Sequence, residues 1–356
     1  MTPNTQEVFV GSGAPNRTVV AGGREYLFFS GTAYLGLPAN AAFQELVADG
    51  QRRFGTAFGS SRNGNFQLDI YQQAEHQLAQ WTGAAAALTL SSGMLAGQAV
   101  VRQLWAEGFD FLYAPGAHPA LWHLPTVSLP SSSFDDWVSG LKNGRFSGNK
   151  TAILTNSLDS LRGQRYNFDW VNDLPADQNI TLVVDDSHGI GTTGAGGTGI
   201  FGQLPKRPNV RVIVTASLHK AMGIPGGLIL SDAPTSANIR QSAYFSGCSP
   251  VAPAYLWAYT QAAGLYAEAM EKLNANASSF YHKTKNLGIF ENSGDFPVFY
   301  TLQDGLYQYL LAKNALIYSF SYPEATSKRN TRVVLSAWHT PEDVEKLADL
   351  CAQWPR

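Results

Sequence analysis

The chain reads as an α/β protein: a large domain built on a mostly parallel sheet, with a smaller α+β domain at its C-terminal end. Three observations predict this. Two short apolar, β-branched runs, residues 181–184 (TLVV) and 210–214 (VRVIV), are bounded by polar turn residues, as strands buried on both faces of a parallel sheet are. Strand-like runs alternate with stretches of helical period through Gly227. From about residue 275 the order becomes strand, helix, two strands and helix, an α+β succession.

The stretch 181–227 organises the rest. Its first strand ends in Asp185, and its second runs into Ser217, His219 and Lys220. Open α/β sheets collect their chemistry at the carboxyl ends of the strands, so an acid and a lysine 35 residues apart in sequence (220 − 185) arrive at one rim. An acid that keeps a pyridine nitrogen protonated, beside a lysine able to form a Schiff base, is the pair that pyridoxal phosphate requires. The glycines between them suit a loop crowded against a planar group and a partner subunit. A lone lysine after a strand is a surface residue in most proteins, and the company of Asp185 is what singles out Lys220. A competing pattern, Gly189-Ile190-Gly191-Thr192-Thr193-Gly194, matches the GxGxxG spacing of a dinucleotide loop after a strand. Its surroundings do not match: no helix opens directly from it, Gly196, Gly197 and Gly199 follow, and the acid precedes the glycines instead of lying about 20 residues beyond them.

Composition bounds the function. A length of 356 residues suits about two domains at roughly 150 residues each. Charged residues make up 15%, below the usual value of about 25%, which means either a neutral surface or much buried area, a subunit interface included. A net charge of −2 with no basic run leaves no electrostatic footprint for nucleic acid or an anionic membrane. Cys248 and Cys351 are too few for a disulfide framework, and no CxxC spacing is present for a metal. No stretch approaches the roughly 18 apolar residues of a membrane helix, and the N-terminal stretch has neither a basic start nor an apolar core. The expectation is a cytoplasmic protein with no metal and no nucleic-acid or membrane partner.

In order along the chain, residues 26–34 form a short strand-like run and Asn40 is placed to cap a helix ending at Phe54. A Gly/Ser loop over 55–65 precedes a helix over 67–81, with apolar residues at Leu68, Tyr71, Ala74, Leu78 and Trp81. After a strand over 84–90, Ser91-Ser92-Gly93-Met94 leads into a helix over 95–105. Such a start offers unpaired N–H groups that can hold a phosphate, although an ordinary N-cap has the same appearance. A strand over 109–114 runs toward His118, an ordinary polar residue unless a planar cofactor lies beside it. A helix over 134–141, a turn-rich connection over 143–150 and a strand over 151–155 follow. Single helices are expected over 232–245 and 252–273, the second bridging two domains. Strands over 297–302, 315–320 and 331–336, with helices over 305–313 and 341–351, make the last unit. The division expected is an N-terminal arm over 1–40, a large domain over 41–250, and a connecting helix with the small domain over 251–356.

These residues resemble the α-oxoamine synthases, fold-type I pyridoxal phosphate enzymes that include 8-amino-7-oxononanoate synthase, 2-amino-3-ketobutyrate CoA ligase, 5-aminolevulinate synthase and serine palmitoyltransferase. The resemblance spans nearly the whole chain. It rests on Tyr34-Leu35-Gly36-Leu37, the loop from Gly55-Thr56 to Arg62, the helix of Glu75, Ser92-Gly93, Val184-Asp185-Asp186-Ser187-His188-Gly189, Ser217 with Lys220, and Arg332 with His339, in family order. It implies the Schiff-base lysine at Lys220, the pyridine-nitrogen partner at Asp185, a ring-stacking histidine at His118 and a bond to the phenolic oxygen from His188, with Ser160 nearby. It implies phosphate contacts at Ser92, Gly93, Met94 and Ser217, and a substrate-carboxylate arginine at Arg332, whose planar fork binds bidentately as a lysine could not.

The chain also departs from the pattern. Asn63-Gly64-Asn65-Phe66-Gln67 stands where a Ser-Gly turn is usual, Tyr71 where a histidine is common, Asn156 and Arg162 where acids surround Ser160, and Gly247-Cys248 where a Ser/Thr pair often reaches the neighbouring subunit's phosphate. The implied activity is condensation of an amino acid with an acyl-CoA thioester by a homodimer whose active site lies at the subunit interface. Another reaction of the same fold, transamination or aldol-type cleavage, shares Lys220 and Asp185 and needs no thioester. A non-catalytic relative is the third possibility, and retention of Lys220, Asp185, His118 and His188 together argues against it.

Overall fold

The β-branched runs that predict strands form the middle of a six-stranded sheet. The computed structural model describes residues 8–143, 150–159, 161–292, 294, 296–321 and 329–355. In chain order the strands are β1 (Thr18–Ala21), β2 (Arg24–Phe29), β3 (Ala86–Leu90), β4 (Asp110–Tyr113), β5 (Lys150–Asn156), β6 (Leu158–Asp159), β7 (Gln164–Arg165), β8 (Asn179–Asp185), β9 (Val210–Ser217), β10 (Gly227–Ser231), β11 (Val298–Thr301), β12 (Ala315–Ser321) and β13 (Arg329–Val334). The helices are α1 (Ala41–Phe54), α2 (Asp69–Thr82), α3 (Gly93–Ala106), α4 (Phe134–Asn143), α5 (Ala233–Gln241), α6 (Ala243–Gly247), α7 (Pro253–Gln261), α8 (Ala263–Thr284), α9 (Gly305–Ala312) and α10 (Pro341–Ala352). The chain divides into two compact units. One is formed by Ala42–Asp159 with Arg165–Gly264; the other takes the described residues of Met1–Ala41, Ser160–Gln164 and Leu265–Arg356.

The larger unit holds the sheet β3-β10-β9-β8-β5-β4. Strands β4, β5, β8 and β9 run parallel, while β10 is antiparallel to both β9 and β3. β8 is buried at every position after Asn179, which is why its sequence is a continuous apolar run and not an alternating one. α3 packs across β3, β9 and β10, and its buried residues Ala96, Val100, Val101 and Leu104 join Leu88, Val183, Ile213 and Ile229 in one core. Burial there supplies roughly 1.5–3 kcal/mol per large aliphatic side chain.

The smaller unit holds the sheet β1-β2-β12-β13-β11, in which β2 and β12 are parallel and the other pairs antiparallel. Two of its strands thus come from the N-terminal stretch. Phe29, Phe280, Phe299, Leu310, Val333 and Leu347 lie in its core. His339 stacks on Phe29 at 4.3 Å, accepts the Ser336 N–H on Nδ1 and meets the Phe28 carbonyl through Nε2 at 2.9 Å. Burial pushes its pKa down to about 4, so the ring is neutral and holds β2 to the turn after β13.

Three sequence expectations need correcting. β10 was not anticipated, and it makes the sheet mixed at the position next to β9. The single helix expected over 232–245 is broken at Ser242, whose hydroxyl accepts the Phe245 N–H and starts α6 afresh. The helix expected over 252–273 is two helices, interrupted at Ala262 (φ −100°, ψ 16°), and the second continues to Thr284. The turn-rich connection over 143–150 falls largely outside the described residues.

A buried ion network ties α2 to the sheet. Arg62 meets Glu75 through two parallel bonds of 2.9 and 3.0 Å, Arg240 adds a third at 3.0 Å, and the Thr89 N–H donates to the same carboxylate at 2.8 Å. Arg62 also lies 4.0 Å from the Tyr71 ring centroid, so Tyr71, one of the departures, packs against this network. Removing the acid strands two guanidiniums, one of them only 3% exposed. Glu75→Ala is expected to lower stability by roughly 3–5 kcal/mol, read from denaturant unfolding. A change below about 1 kcal/mol, the level of a surface pair, would mean that the network is not held as described.

Candidate active site

The carboxyl end of β8 carries two acids with different surroundings. Asp185 is 7% exposed; its Oδ1 accepts the Ser187 N–H at 2.9 Å, and among the described residues its Oδ2 accepts no hydrogen bond. Asp186 is fully buried. Its N–H donates to the Thr215 carbonyl at 2.7 Å, its carbonyl accepts the N–H groups of Gly189 and Ile190, and its Oδ2 accepts the Ile200 N–H at 2.8 Å. Burial pushes the Asp186 carboxyl up to about 7, with Ser157 and Ile200 pulling it down and the neighbouring Asp185 pushing the same way as burial.

His118 faces Asp185. Its Nδ1 lies 3.7 Å from Asp185 Oδ2, too far for a hydrogen bond, and accepts the Ala120 N–H at 3.2 Å, which leaves the proton of the neutral ring on Nε2. Burial lowers the His118 pKa, Asp185 opposes that, and Lys220 reinforces it. The backbone around His118 is fixed from both sides. Asn156, at the end of β5, accepts the His118 N–H at 3.1 Å and donates to the Gly116 carbonyl at 2.8 Å. Across the turn, Gly97 of α3 comes so close that a Cβ would stand 2.5 Å from the Ala120 carbonyl oxygen.

The start of α3 is pressed against the end of β9. A Cβ on Gly93 would lie 2.6 Å from Ser217 Cβ, and one on Gly227 would overlap the Ser92 carbonyl, so both positions require glycine. Ser92 caps the helix through the Leu95 N–H at 3.1 Å, which leaves the N–H groups of Gly93 and Met94 at the positive end of the helix. Ser217 donates its N–H to the Ser187 hydroxyl at 2.8 Å, linking this turn to the residue after Asp186. Lys220 is half-buried in the loop between β9 and β10, closed by bonds from Leu218 N–H to the Gly226 carbonyl and from Ile224 N–H to the Leu218 carbonyl. His188 is half-buried two residues after Asp186, and its carbonyl accepts the Thr192 hydroxyl at 2.6 Å.

The larger unit therefore gathers His118, Asp185, His188, Lys220, Ser217 and the Ser92-Gly93-Met94 turn on its β-strand ends. Arg332 lies on β13 of the smaller unit and is 4% exposed. Ser160 lies outside the described residues. Two positioning groups escaped the sequence reading. Asn156 was noted only as a departure, and nothing in its local sequence signals a side chain bonded to the His118 turn 38 residues away. The environment of Asp186 is invisible for the same reason, although the glycines at 189 and 199 were a trace of it.

The family model for aminotransferases of class I and II matches residues 26–350. The chain belongs to that family. Among relatives of this aminotransferase-family chain, 8-amino-7-oxononanoate synthase of Yersinia enterocolitica is 30% identical over 239 residues, 66% of this chain and 61% of that enzyme. The enzyme of the same name from Erwinia tasmaniensis is 26% identical over 356 residues, 94% of this chain and 91% of its own length. A serine palmitoyltransferase from S. paucimobilis superposes with a TM-score of 0.83 at 16% identity, covering 97% of this chain and 91% of that one. An 8-amino-7-oxononanoate synthase from Francisella tularensis gives 0.71 at 20% identity, covering 92% and 97%. At such identities the structures speak for the fold alone, which is that of fold-type I enzymes. The resemblance to α-oxoamine synthases drawn from the motifs stands.

The pKa of Asp186 has a consequence for stability. Its folded value of about 7 exceeds the ordinary 3.8, so the folded state binds this proton more tightly, and the stability it contributes below 3.8 is lost as the pH rises through about 7. Asp186→Asn keeps the shape and removes the titration. Wild-type melting temperature should fall relative to the variant across that window, and parallel curves would show that Asp186 does not titrate there.

Proposed function

We propose that this chain is a pyridoxal phosphate-dependent acyltransferase that condenses an amino acid with an acyl thioester, acting as a homodimer in the cytoplasm. The observation that carries the reading is Asp185 Oδ2, which accepts no hydrogen bond among the described residues and lies 3.7 Å from an imidazole that also feels Lys220. The names of the relatives support it.

The residues fit the cofactor. Lys220 supplies the amine that carries it, Asp185 the acceptor for a protonated ring nitrogen, His118 a ring face, His188 a donor for the phenolic oxygen, and Gly93, Met94 and Ser217 the donors for its phosphate. When bound, pyridoxal phosphate supplies an electron sink for negative charge at the α-carbon of the amino acid. The chain supplies the rest. Arg332 holds the substrate carboxylate, the Lys220 amine takes the α-proton, and a neutral His118 leaves the full charge of Asp185 for the ring nitrogen. A bond then forms from the α-carbon to the thioester carbonyl, and the thiolate leaves.

Two measurements test this. Borohydride treatment of the cofactor-loaded protein should fix the group on Lys220, and peptide mapping that places it on another lysine would remove the basis of the proposal. With an amino acid and an acyl-CoA supplied, free thiol should appear only when both are present and in step with amino-acid consumption. Amino-group transfer to a 2-oxo acid without thiol release would make aminotransferase the better description, and cleavage of the amino acid alone would favour a lyase.

A further inference from the structure

The ring of His118 is set by the turn that follows it. Pro119 has a fixed φ and no N–H, so it opens the short 3-10 turn Pro119–Leu121, and the first amide there that needs an acceptor is that of Ala120. His118 itself caps the turn. Its Nδ1 accepts the Ala120 N–H at 3.2 Å, which fixes the direction of the ring and the nitrogen that carries no proton. Both therefore depend on where the Ala120 peptide is held.

Gln98 of α3 holds that peptide. Its Nε2 donates to the Ala120 carbonyl at 3.0 Å and to the Trp122 carbonyl at 2.9 Å, so both N–H groups of one side chain close the far end of the turn. The other backbone groups find partners nearby: Leu121 N–H donates to the His118 carbonyl at 2.9 Å, Trp122 N–H to the Pro119 carbonyl at 3.1 Å, and the Trp122 indole to the Ala117 carbonyl at 2.8 Å. Asn156 grips the His118 backbone, whereas Gln98 grips the peptide that orients its ring. Gly97, the residue before it, has no Cβ to push the Ala120 carbonyl away. α3 thus carries the N–H groups of Gly93 and Met94 at its head and, little more than a turn later, the amide that sets His118.

We propose that Gln98 is a positioning residue of the active site, which through the Ala120 peptide holds His118 as the Nε2–H tautomer facing Asp185. The inference rests on the reading above in which His118 offers a ring face to pyridoxal phosphate. One helix then sets both groups, the phosphate donors directly and the imidazole through Gln98. With its proton on Nε2, the ring has no hydrogen on Nδ1 to offer Asp185 Oδ2, 3.7 Å away, and that oxygen stays open for the ring nitrogen of the cofactor. An imidazole released from Ala120 can adopt the other tautomer, turn its Nδ1–H to Asp185 and occupy the acceptor.

The test labels the histidines of the full-length chain with nitrogen-15 and reads their ring-nitrogen shifts, the His118 signal being the one absent from His118→Phe. In the wild type it should show the proton on Nε2 alone. Gln98→Met, which keeps the length and loses both donors, and Gln98→Ala should each give a mixture of tautomers. The dissociation constant for pyridoxal phosphate should rise roughly 3- to 10-fold in each, the scale of one hydrogen bond. In a His118→Phe background the same substitutions should leave that constant unchanged, because the residue they act through is gone. An unaltered His118 tautomer in Gln98→Met, or equal weakening of cofactor binding in both backgrounds, would overturn the proposal. So would a lower melting temperature with neither signal moved, which would make Gln98 a stability residue only. If Gln98→Ala does not fold, the near-isosteric Gln98→Met decides. A wild-type chain that takes up no pyridoxal phosphate would sink the reading above, while the ring-nitrogen comparison still decides whether Gln98 sets His118.

Discussion

Most of the candidate site depends on the way the end of β8 is held by its neighbours. Asp186 donates its N–H to the Thr215 carbonyl, so the β8–β9 pairing continues past the last residue of the strand. That keeps Asp185 and Asp186 in extended register, where successive side chains point to opposite sides. Asp185 turns toward His118, and Asp186 turns into the glycine-rich loop. An acid facing a polar, cationic rim and an acid buried among backbone groups differ by environment alone, and burial raises the pKa of Asp186 to about 7. Slipping this register by one residue would exchange the two acids, and Lys220 and His118 would face a carboxyl already occupied by the Ile200 N–H.

The second constraint is close backbone approach. Gly93, Gly97 and Gly227 let α3, the His118 turn and the start of β10 come within contact of one another and of Ser217, and a methyl group at any of them would meet neighbouring atoms at 2.6 Å or less. The N–H groups at the head of α3 are therefore carried by a segment with no slack. Asn156 does the same for His118 from the opposite side. The glycines and a side-chain amide thus fix positions that the charged residues only occupy.

How much of this was legible follows from the range of the forces involved. β8 and β9 were plain because burial on both faces demands an unbroken apolar run, a property local to the run itself. Lys220 and Asp185 were legible because strand ends place them on one rim. β10 was missed because its five residues follow the glycines and proline of the loop after β9, where turn signals dominate, and its antiparallel direction depends on pairing with β3, more than 130 residues earlier. The break at Ser242 has a local cause, the competing cap, that helical periodicity masked. The break at Ala262 has none in sequence: alanine is the best helix former, and only packing can interrupt a helix there.

The glycine loop after β8 shows how one spacing can arise from two causes. Gly189, Gly191 and Gly194 match the dinucleotide spacing, in which glycines clear space for a pyrophosphate at a helix start. In this chain no α-helix follows within the loop, and the segment closes on itself through bonds from Gly191 N–H to the Gly197 carbonyl and from Gly199 N–H to the Thr193 carbonyl. Methyl groups on Gly189 and Gly199 would overlap the two carboxyl oxygens of Asp186. The glycines make room for an internal anion, the acid that precedes them, and not for an external one that follows. Had the acid lain after the glycines, the same letters would have demanded a helix and a ligand; because it lies before them, they demand only a loop folded tightly enough to bury a carboxyl group.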